Sequence, residues 1–331
     1  MKIVKNLNLK KKLPSTLSVI IPTKNRPDLL RRALRSVAVQ EYQSFEICVV
    51  DNNNDHKKQT EIEKIVKELA YEYPSLKWLY VHSTKPFASG VRNDGIAATS
   101  GDIIIFLDDD DEMLENSISI RMKVMLAQPE LVLLYCGGYS KIYPYPFKMY
   151  RYYHYNKRMH HDRLLMMSCS SMMINRKIFE SNNLHFDEGQ SRMDDYDLCK
   201  MIIKLNLNVK SIPDPLVMIY LHPDTRISSQ ELIDYSFKEK LIERWGSQEK
   251  DVVFAYAQGV YQWRKCFGNN NQSLKEISRD LYKGFERYPT LSFRLKFMLI
   301  SISPYLFLAL YHVSVFLTQS YKNMLARIKT Y

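Results

Sequence analysis

Four short apolar runs alternate with amphipathic segments in the first third of the chain. The runs are Leu17–Ile21, Phe45–Val50, Leu76–Val81 and Ile103–Leu107. Between them, apolar residues recur at helical spacing and the charged residues lie on the opposite face. The last run is apolar throughout, which is typical of a central strand buried on both faces. The pattern predicts βαβ units, and therefore an α/β fold with a parallel sheet.

The pattern becomes mixed after residue 112. Residues 135–155 are rich in Tyr, Pro and Lys, which predicts an irregular surface excursion. Ser168–Ile174 is predicted to form a further strand, and the apolar spacing over Asp195–Leu205 predicts a helix. From Glu231 onward the sequence predicts helices.

Composition and charge narrow the class of protein. Hydrophobic residues make up 46% and charged residues 25% of the chain, which excludes a disordered protein. The net charge of +11 favours an anionic partner, such as nucleic acid, an anionic membrane or a phosphorylated substrate, with ordinary solubility as the alternative. The five cysteines form no C-x-x-C pair, so we expect reduced and mostly buried thiols.

Acidic residues follow the most apolar strand directly. Parallel sheets bind ligands beyond the carboxyl ends of their strands, which is where Thr23, Asp51 and the run Asp108–Asp111 fall. Adjacent carboxylates repel one another and ionise more easily beside a cation. Alternate residues Asp108 and Asp110 can point to one place, and such ligands suit Mg²⁺ or Mn²⁺. A solvated acidic turn, or an N-cap cluster for a helix near Glu115, is the alternative.

Five segments, in order, resemble the signatures of the family-2 glycosyltransferases with the GT-A fold. The first is the opening strand and the fourth matches the D-x-D segment of that family. In the last, the usual Glu-Asp pair is Asp194-Asp195. The segments are Ser18–Asn25, Val49–Asp55, Gly90–Gly95, Phe106–Asp111, and Phe186–Glu188 followed by Met193–Leu198. The resemblance covers residues 16–228.

The resemblance implies a fold and a division of the chain. The fold is α/β of the GT-A type, with a mostly parallel central sheet flanked by helices and a helical C-terminal extension. Residues 1–15 would form a basic tail, 16–112 the half that binds the donor, and 113–230 the half that binds the acceptor. Residues 231–331 would form the helical extension.

The resemblance also implies an activity. The enzyme would move a hexose or N-acetylhexosamine from a UDP-sugar to a hydroxyl of a glycan acceptor, with inversion at the anomeric carbon. A divalent metal, Mn²⁺ or Mg²⁺, would stabilise the leaving diphosphate. Asp195 would be the general base and Asp194 its supporting neighbour, with an N-cap role for Asp195 as the alternative.

The same resemblance assigns the donor side. Asp110 would ligate the metal directly, Asp108 would contact the ribose or a metal-bound water, and His222 would face the diphosphate or the metal. Arg92 would donate to a uracil carbonyl, unless it forms a plain ion pair. The full set of expected donor-binding residues is Pro22, Thr23, Asn25, Asp51, Arg92, Asn93, Asp108, Asp109, His222 and Arg226. The expected metal ligands are Asp108, Asp110 and His222.

The C-terminal region suggests contact with a membrane. Residues 297–321 contain no charged residue, and lysines and arginines bracket them. This arrangement predicts peripheral membrane contact through 279–329, with a buried hairpin or a single span as alternatives. An interfacial helix would place the enzyme at the cytoplasmic face of the membrane and favours a lipid-linked glycan acceptor.

Two other classes of function compete with a glycosyltransferase. A nucleic-acid-binding protein would use the basic surface and the tyrosines of Lys141–Arg158, but the chain has no known nucleic-acid motif and an acidic cluster at the ligand edge, so we expect no nucleic-acid partner. A nucleotidyltransferase of similar topology needs a glycine-rich phosphate loop after the first strand. Ile21–Arg26 has the cations but no glycine.

Overall fold

A mixed sheet forms the centre of the fold. The computed structural model describes residues 2–6, 17–142, 148–151, 168–221 and 236–246. Within these ranges the sheet has the strand order β1-β4-β3-β2-β5-β9-β7-β10-β6, with β8 paired to β7. The strands are β1 (Lys2–Asn6), β2 (Leu17–Thr23), β3 (Phe45–Asp51), β4 (Lys77–His82), β5 (Ile103–Phe106), β6 (Glu112–Met113), β7 (Leu131–Ile142), β8 (Lys148–Arg151), β9 (Met172–Asn175) and β10 (Asn208–Leu221).

The two halves of the sheet differ in strand direction. Strands β2, β3, β4 and β5 pair in parallel, as the alternating pattern predicts. Beyond β5, strand β9 pairs antiparallel with both β5 and β7, while β10 pairs parallel with β7 and antiparallel with β6. The expectation of a mostly parallel sheet therefore holds for the first half, and the second half is mixed.

Helices cover both faces of the sheet. They are α1 (Pro27–Ala38), α2 (His56–Glu72), α3 (Ala88–Ala98), α4 (Ser117–Ala127), α5 (Arg176–Ser181) and α6 (Asp194–Lys204); a further helix, α7 (Ser236–Trp245), follows later in the chain. Successive strand residues point to opposite faces. Accordingly, Val19 and Ile21 pack in one apolar cluster with α1, α2 and α4, whereas Ile20 packs in a second cluster with α3, α5 and α6.

The chain divides into two units, Met1–His222 and Pro223–Tyr331. The first unit contains the sheet and helices α1 to α6, and the described part of the second contains α7. Within the described residues, no helix is both long and apolar enough to cross a bilayer. The segment 279–329, for which the sequence predicts membrane contact, lies outside those residues.

Three sequence-based expectations need correction. The excursion predicted over 135–155 is wrong in its described parts, because β7 continues to Ile142 and β8 pairs with it. The predicted strand Ser168–Ile174 begins as a 3₁₀ turn and becomes strand only at Met172. Residues 2–6 of the predicted basic tail form the edge strand β1.

Two glycines in β7 allow β10 to pair closely with it. Gly137 and Gly138 lie where a side chain would meet the backbone or side chains of β10. A Cβ at Gly137 would lie 2.6 Å from the carbonyl oxygen of Pro213, and one at Gly138 would lie 2.8 Å from Val217. The β7–β10 pairing therefore requires glycine at these two positions.

Gly95 sets the distance between α3 and the sheet. A Cβ on Gly95 would lie 2.4 Å from Cγ2 of Ile20 and 2.9 Å from Cγ2 of Val50, both in the core. These distances are too short for a side chain, so α3 lies against β2 and β3 only because residue 95 has none. The same helix carries Arg92 and Asn93.

We expect Gly95→Ala to destabilise the protein. Alanine favours a helix over glycine by about 1 kcal/mol, but overpacking a core costs about 1–3 kcal/mol, so the clash with Ile20 should dominate. Urea unfolding measures the change. Ala97→Gly, at an exposed position of the same helix, isolates the propensity contribution. A Gly95→Ala variant more stable than the parent chain would show that α3 can move away from the sheet at little cost.

Candidate active site

Strand register brings the polar residues together at the carboxyl edge of the sheet. Ile20 pairs with Phe106 in the parallel β2–β5 ladder. Three residues further along each segment, the Thr23 hydroxyl donates a hydrogen bond of 2.7 Å to Oδ2 of Asp109. The predicted neighbourhood of Thr23 and the acidic run is therefore present.

The acidic run folds as a tight turn rather than an extended segment. The Asp111 N–H donates to the Asp108 carbonyl at 3.0 Å. One carboxylate oxygen each from Asp108, Asp110 and Asp111 lie within 4.8 Å of one another. The expected pair Asp108 and Asp110 is thus joined by a third carboxylate. Asp109 instead contacts Thr23, and burial raises the pKa of Asp109 to about 6 against the opposing effect of Arg26.

Asp111 anchors the acidic turn to the 3₁₀ turn that precedes β9 and to β10. Its side chain accepts hydrogen bonds from the Ser170 hydroxyl at 2.6 Å and from the Tyr220 N–H at 3.1 Å. The same Ser170 oxygen accepts from the Asp108 N–H at 3.1 Å. Sequence reasoning missed Ser170, although the serines that precede the apolar residues of β9 were a usable signal once β9 was paired with β5.

Arg26 is a second residue that sequence reasoning did not assign to the site. Its Nη1 donates to Oδ1 of Asp109 and to Oδ2 of Asp110, each at 3.0 Å. Arg32, one helical turn and a half further along α1, donates to the Asp110 carbonyl at 2.6 Å. The signal was the position of Arg26 immediately after β2, where ligand-binding side chains of such sheets occur.

Arg92 joins the acidic turn to the start of α6. Its Nη2 donates to Oδ1 of Asp108 at 2.7 Å, and its Nη1 donates to Oδ2 of Asp194 at 2.6 Å. The Arg92 side chain is buried, and its guanidinium lies 5.7 Å from the ring centroid of Phe186. The arrangement brings together three residues that the sequence singled out for different tasks.

The expected general base lies in the first turn of α6. The helix begins at Asp194 after Met193, which has a left-handed backbone (φ 56°), so Asp195 is not the N-cap. Burial, assisted by the negative charge of Asp194, raises the pKa of Asp195 to about 7. In the described part of the chain, the Asp195 carboxylate accepts only from the N–H of Tyr196, at 2.8 Å, while Asp194 is paired with Arg92. A carboxylate of this kind is suited to accept a proton near neutral pH.

Asp51 and Asn93 make internal contacts. The Asp51 carboxylate is fully buried and accepts from the Tyr80 hydroxyl at 2.7 Å and from the backbone and side-chain N–H groups of Asn53. Burial raises the pKa of Asp51, and these hydrogen bonds oppose the rise. The Asn93 amide exchanges two hydrogen bonds with the backbone of Phe186. Both residues therefore hold neighbouring segments of the site in place.

The remaining expected residues lie in β2, in the loop between β2 and α1, or beyond the described ranges. Pro22 is part of β2, and Asn25 has a left-handed backbone (φ 61°) whose N–H donates to Asn53 at 3.0 Å. His222 and Arg226 lie outside the described residues. The cysteines within the described ranges (Cys48, Cys136, Cys169 and Cys199) are free and buried, as predicted.

Residues 18–182 match the model of glycosyl transferase family 2. The chain belongs to the family-2 glycosyltransferases. The open mixed sheet with helices on both faces confirms the expected GT-A fold. Membership of this family makes the chain a transferase.

Individual relatives show how far the similarity extends. The chain is 35% identical over 107 residues to the GalNAc(5)-diNAcBac-PP-undecaprenol beta-1,3-glucosyltransferase of Campylobacter jejuni, a match that covers 32% of this chain and 33% of that enzyme. It is 26% identical over 247 residues to the amylovoran biosynthesis glycosyltransferase AmsB of Erwinia amylovora, over 66% of this chain and 74% of AmsB. The chain thus spans a third of the first relative's length and about three quarters of the second's.

A solved structure extends the likeness of fold. Staphylococcus aureus TarS 1–349 in complex with UDP-GlcNAc superposes with a TM-score of 0.55 at 16% identity, over 84% of this chain and 77% of that one. At this identity the likeness concerns the fold alone.

The Ser170→Ala variant tests the anchoring of the acidic turn. It removes the hydrogen bonds that the Ser170 hydroxyl makes with the Asp111 carboxylate and the Asp108 N–H, so we expect a loss of about 1–3 kcal/mol in the free energy of unfolding. Ser171→Ala is the matched control, since among the described residues the Ser171 hydroxyl donates within its own turn, to the Ser168 carbonyl at 2.7 Å. Equal losses in the two variants, measured by urea unfolding, would show that Ser170 does not hold the turn.

Proposed function

We propose that this glycosyltransferase moves a hexose or N-acetylhexosamine from a UDP-sugar to a hydroxyl of a glycan acceptor, with inversion. One observation carries the proposal: a single guanidinium, that of Arg92, contacts both Asp108 of the acidic turn and Asp194 beside the candidate base. The carboxylates suited to hold the cation of a diphosphate donor and the residue suited to activate a hydroxyl therefore lie on either side of the Arg92 side chain.

Asp195 is the general base in this proposal. The acceptor hydroxyl gives its proton to the Asp195 carboxylate while its oxygen attacks the anomeric carbon. The bond between that carbon and the diphosphate oxygen breaks, and the bonding electrons leave with the diphosphate. The pairing of Asp194 with Arg92 reduces the negative charge next to Asp195 and leaves Asp195 as the carboxylate that takes the proton.

The acidic turn fits a divalent cation. Asp108, Asp110 and Asp111 offer hard oxygen ligands close enough for one ion, and such ligands suit Mn²⁺ or Mg²⁺. When bound, the cation would supply charge stabilisation to the leaving diphosphate. Asp111 would hold the turn through Ser170, and Asp108 and Asp110 would be the principal ligands of the cation.

The donor's base and ribose are assigned to the ends of β2 and β3. Thr23 and Asn53, oriented by Asp109 and Asp51, lie at this edge of the sheet. Arg92 is paired with two carboxylates. In this proposal it therefore positions the acidic turn and the start of α6, which carries Asp195, and does not bind uracil. The binding of UDP-GlcNAc by TarS, which shares the fold, supports a UDP-sugar as donor.

The acceptor is proposed to be a lipid-linked or cell-surface glycan at the cytoplasmic face of a membrane. The Campylobacter relative is named for an undecaprenol-linked acceptor, and AmsB is named for the biosynthesis of the polysaccharide amylovoran. The basic residues that flank the uncharged segment 297–321 support contact with anionic headgroups.

A thermal-shift panel of UDP, GDP and dTDP, each with and without Mn²⁺, tests the donor site. A ligand at about one hundred times its Kd adds roughly 2.7 kcal/mol of stability. We expect stabilisation by UDP in the presence of Mn²⁺ and its loss in Asp110→Ala. Stabilisation by GDP or dTDP in place of UDP would agree with the enzyme class but would mean that the donor carries a different nucleobase. No shift with any nucleotide would contradict the proposed donor.

The pH profile tests Asp195. The base must be ionised to act, and its pKa in the folded protein is about 7, so kcat/KM should rise as the pH increases through 7. Asp195→Asn should lower kcat by about 10²–10⁴-fold. Asp102→Asn, at an exposed carboxylate, is the control and should keep the wild-type profile. A flat profile between pH 5 and 8 (roughly the range over which such a group titrates) would rule out this assignment.

The raised pKa of Asp195 affects activity and stability in opposite directions as the pH increases. Because the folded state raises the pKa of Asp195, its neutral form favours folding, and this contribution is complete below the pKa of the unfolded chain. It disappears as the pH rises through 7. The pH at which the base becomes active is thus the pH at which it ceases to favour the folded state.

A further inference from the structure

Arg26 connects the end of β2 to the start of α1. Its backbone is fixed on both sides: the Asn25 N–H donates to Asn53 at 3.0 Å, and the Arg26 carbonyl accepts from the Leu30 N–H at 3.0 Å. Pro27 follows directly and restricts the backbone further. Movement of the guanidinium therefore needs only rotation of the side chain, which is 15% exposed.

The carboxylates of the acidic turn are held in different ways. Asp111 is fixed by neutral donors, the Ser170 hydroxyl and the Tyr220 N–H. Asp108 contacts Arg92, which is itself held by Asp194. Asp110 receives Nη1 of Arg26, a single nitrogen that it shares with Asp109.

A divalent cation and Arg26 need the same carboxylate. Oδ2 of Asp110 is the oxygen that Arg26 contacts, and Asp110 belongs to the set of carboxylates that could hold a metal ion. Two positive charges at one carboxylate repel each other, and a bound cation would compete with the guanidinium for Asp110. Guanidinium groups bind phosphate oxygens well, and a donor diphosphate at this edge would offer Arg26 a new partner.

We propose that Arg26 is a built-in counter-ion that competes with the divalent cation for Asp110 and transfers to the diphosphate when the donor binds. The proposal rests on the proposed function, because it requires the metal and the diphosphate at this turn. It has a thermodynamic consequence: the nucleotide removes the competitor of the cation, so each ligand strengthens the binding of the other by the same factor.

Mn²⁺ binding, followed by the electron paramagnetic resonance signal of free Mn²⁺, tests the proposal without measuring activity. We expect Arg26→Gln to bind Mn²⁺ alone about tenfold more tightly than wild type, within the usual range of such couplings. The factor by which UDP strengthens Mn²⁺ binding should fall in the same variant. Arg31→Gln is the matched control, because Arg31 lies on the same helix and pairs with Glu68 at the surface; it should bind Mn²⁺ as wild type does.

The conservative variant Arg26→Lys keeps the proposal testable if Arg26→Gln does not fold. It keeps a positive charge near the turn but replaces the fork of donors by a point charge, so Mn²⁺ affinity should lie between those of wild type and Arg26→Gln. Thermal unfolding establishes that each variant is folded. If folded Arg26 variants bind Mn²⁺ no more tightly than wild type, the counter-ion proposal is overturned while the metal site stands. If no protein binds Mn²⁺ even with UDP, the proposed metal site itself fails, and the Arg26 proposal fails with it.

Discussion

The candidate site depends on the two ion pairs of the buried Arg92 guanidinium. The guanidinium contacts Asp108, from the segment that follows β5, and Asp194, from the start of α6. A buried cation that loses a partner carries a large penalty, so neither carboxylate can withdraw freely. The Arg92 guanidinium consequently fixes the distance between the acidic turn and the helix that carries Asp195.

The other contacts of the site follow from strand register. The parallel β2–β5 ladder places Thr23 beside Asp109, and the antiparallel β5–β9 ladder places Ser170 beside Asp108. Each side chain reaches its partner because two strands end at matching heights. The second half of the sheet therefore supports the candidate site, since the turn before β9 and strand β10 carry the neutral donors that hold the acidic turn in place.

The sequence was most informative where one local pattern determines the result. The four apolar runs formed strands within two residues of their predicted ends, and Asp108–Asp111 lies at the predicted edge. Contacts that depend on register were not visible: nothing local in the sequence pairs Ser170 with Asp111, or Arg26 with Asp110. The tight turn that adds Asp111 to the cluster was missed for the same reason, because alternation assumes an extended chain.

The close packing of α3 has a consequence for engineering this enzyme. Without a side chain at Gly95, α3 lies at a fixed short distance from the sheet and sets the position of the candidate site residues that it carries. Arg92 and Asn93 project from this helix, so any change that lifts it displaces contacts to Asp108, Asp194 and Phe186 together. In the proposed mechanism, changes of acceptor preference are therefore expected around Asp195 rather than in α3, where a substitution would disturb both the packing of the core and the contacts of Arg92 and Asn93.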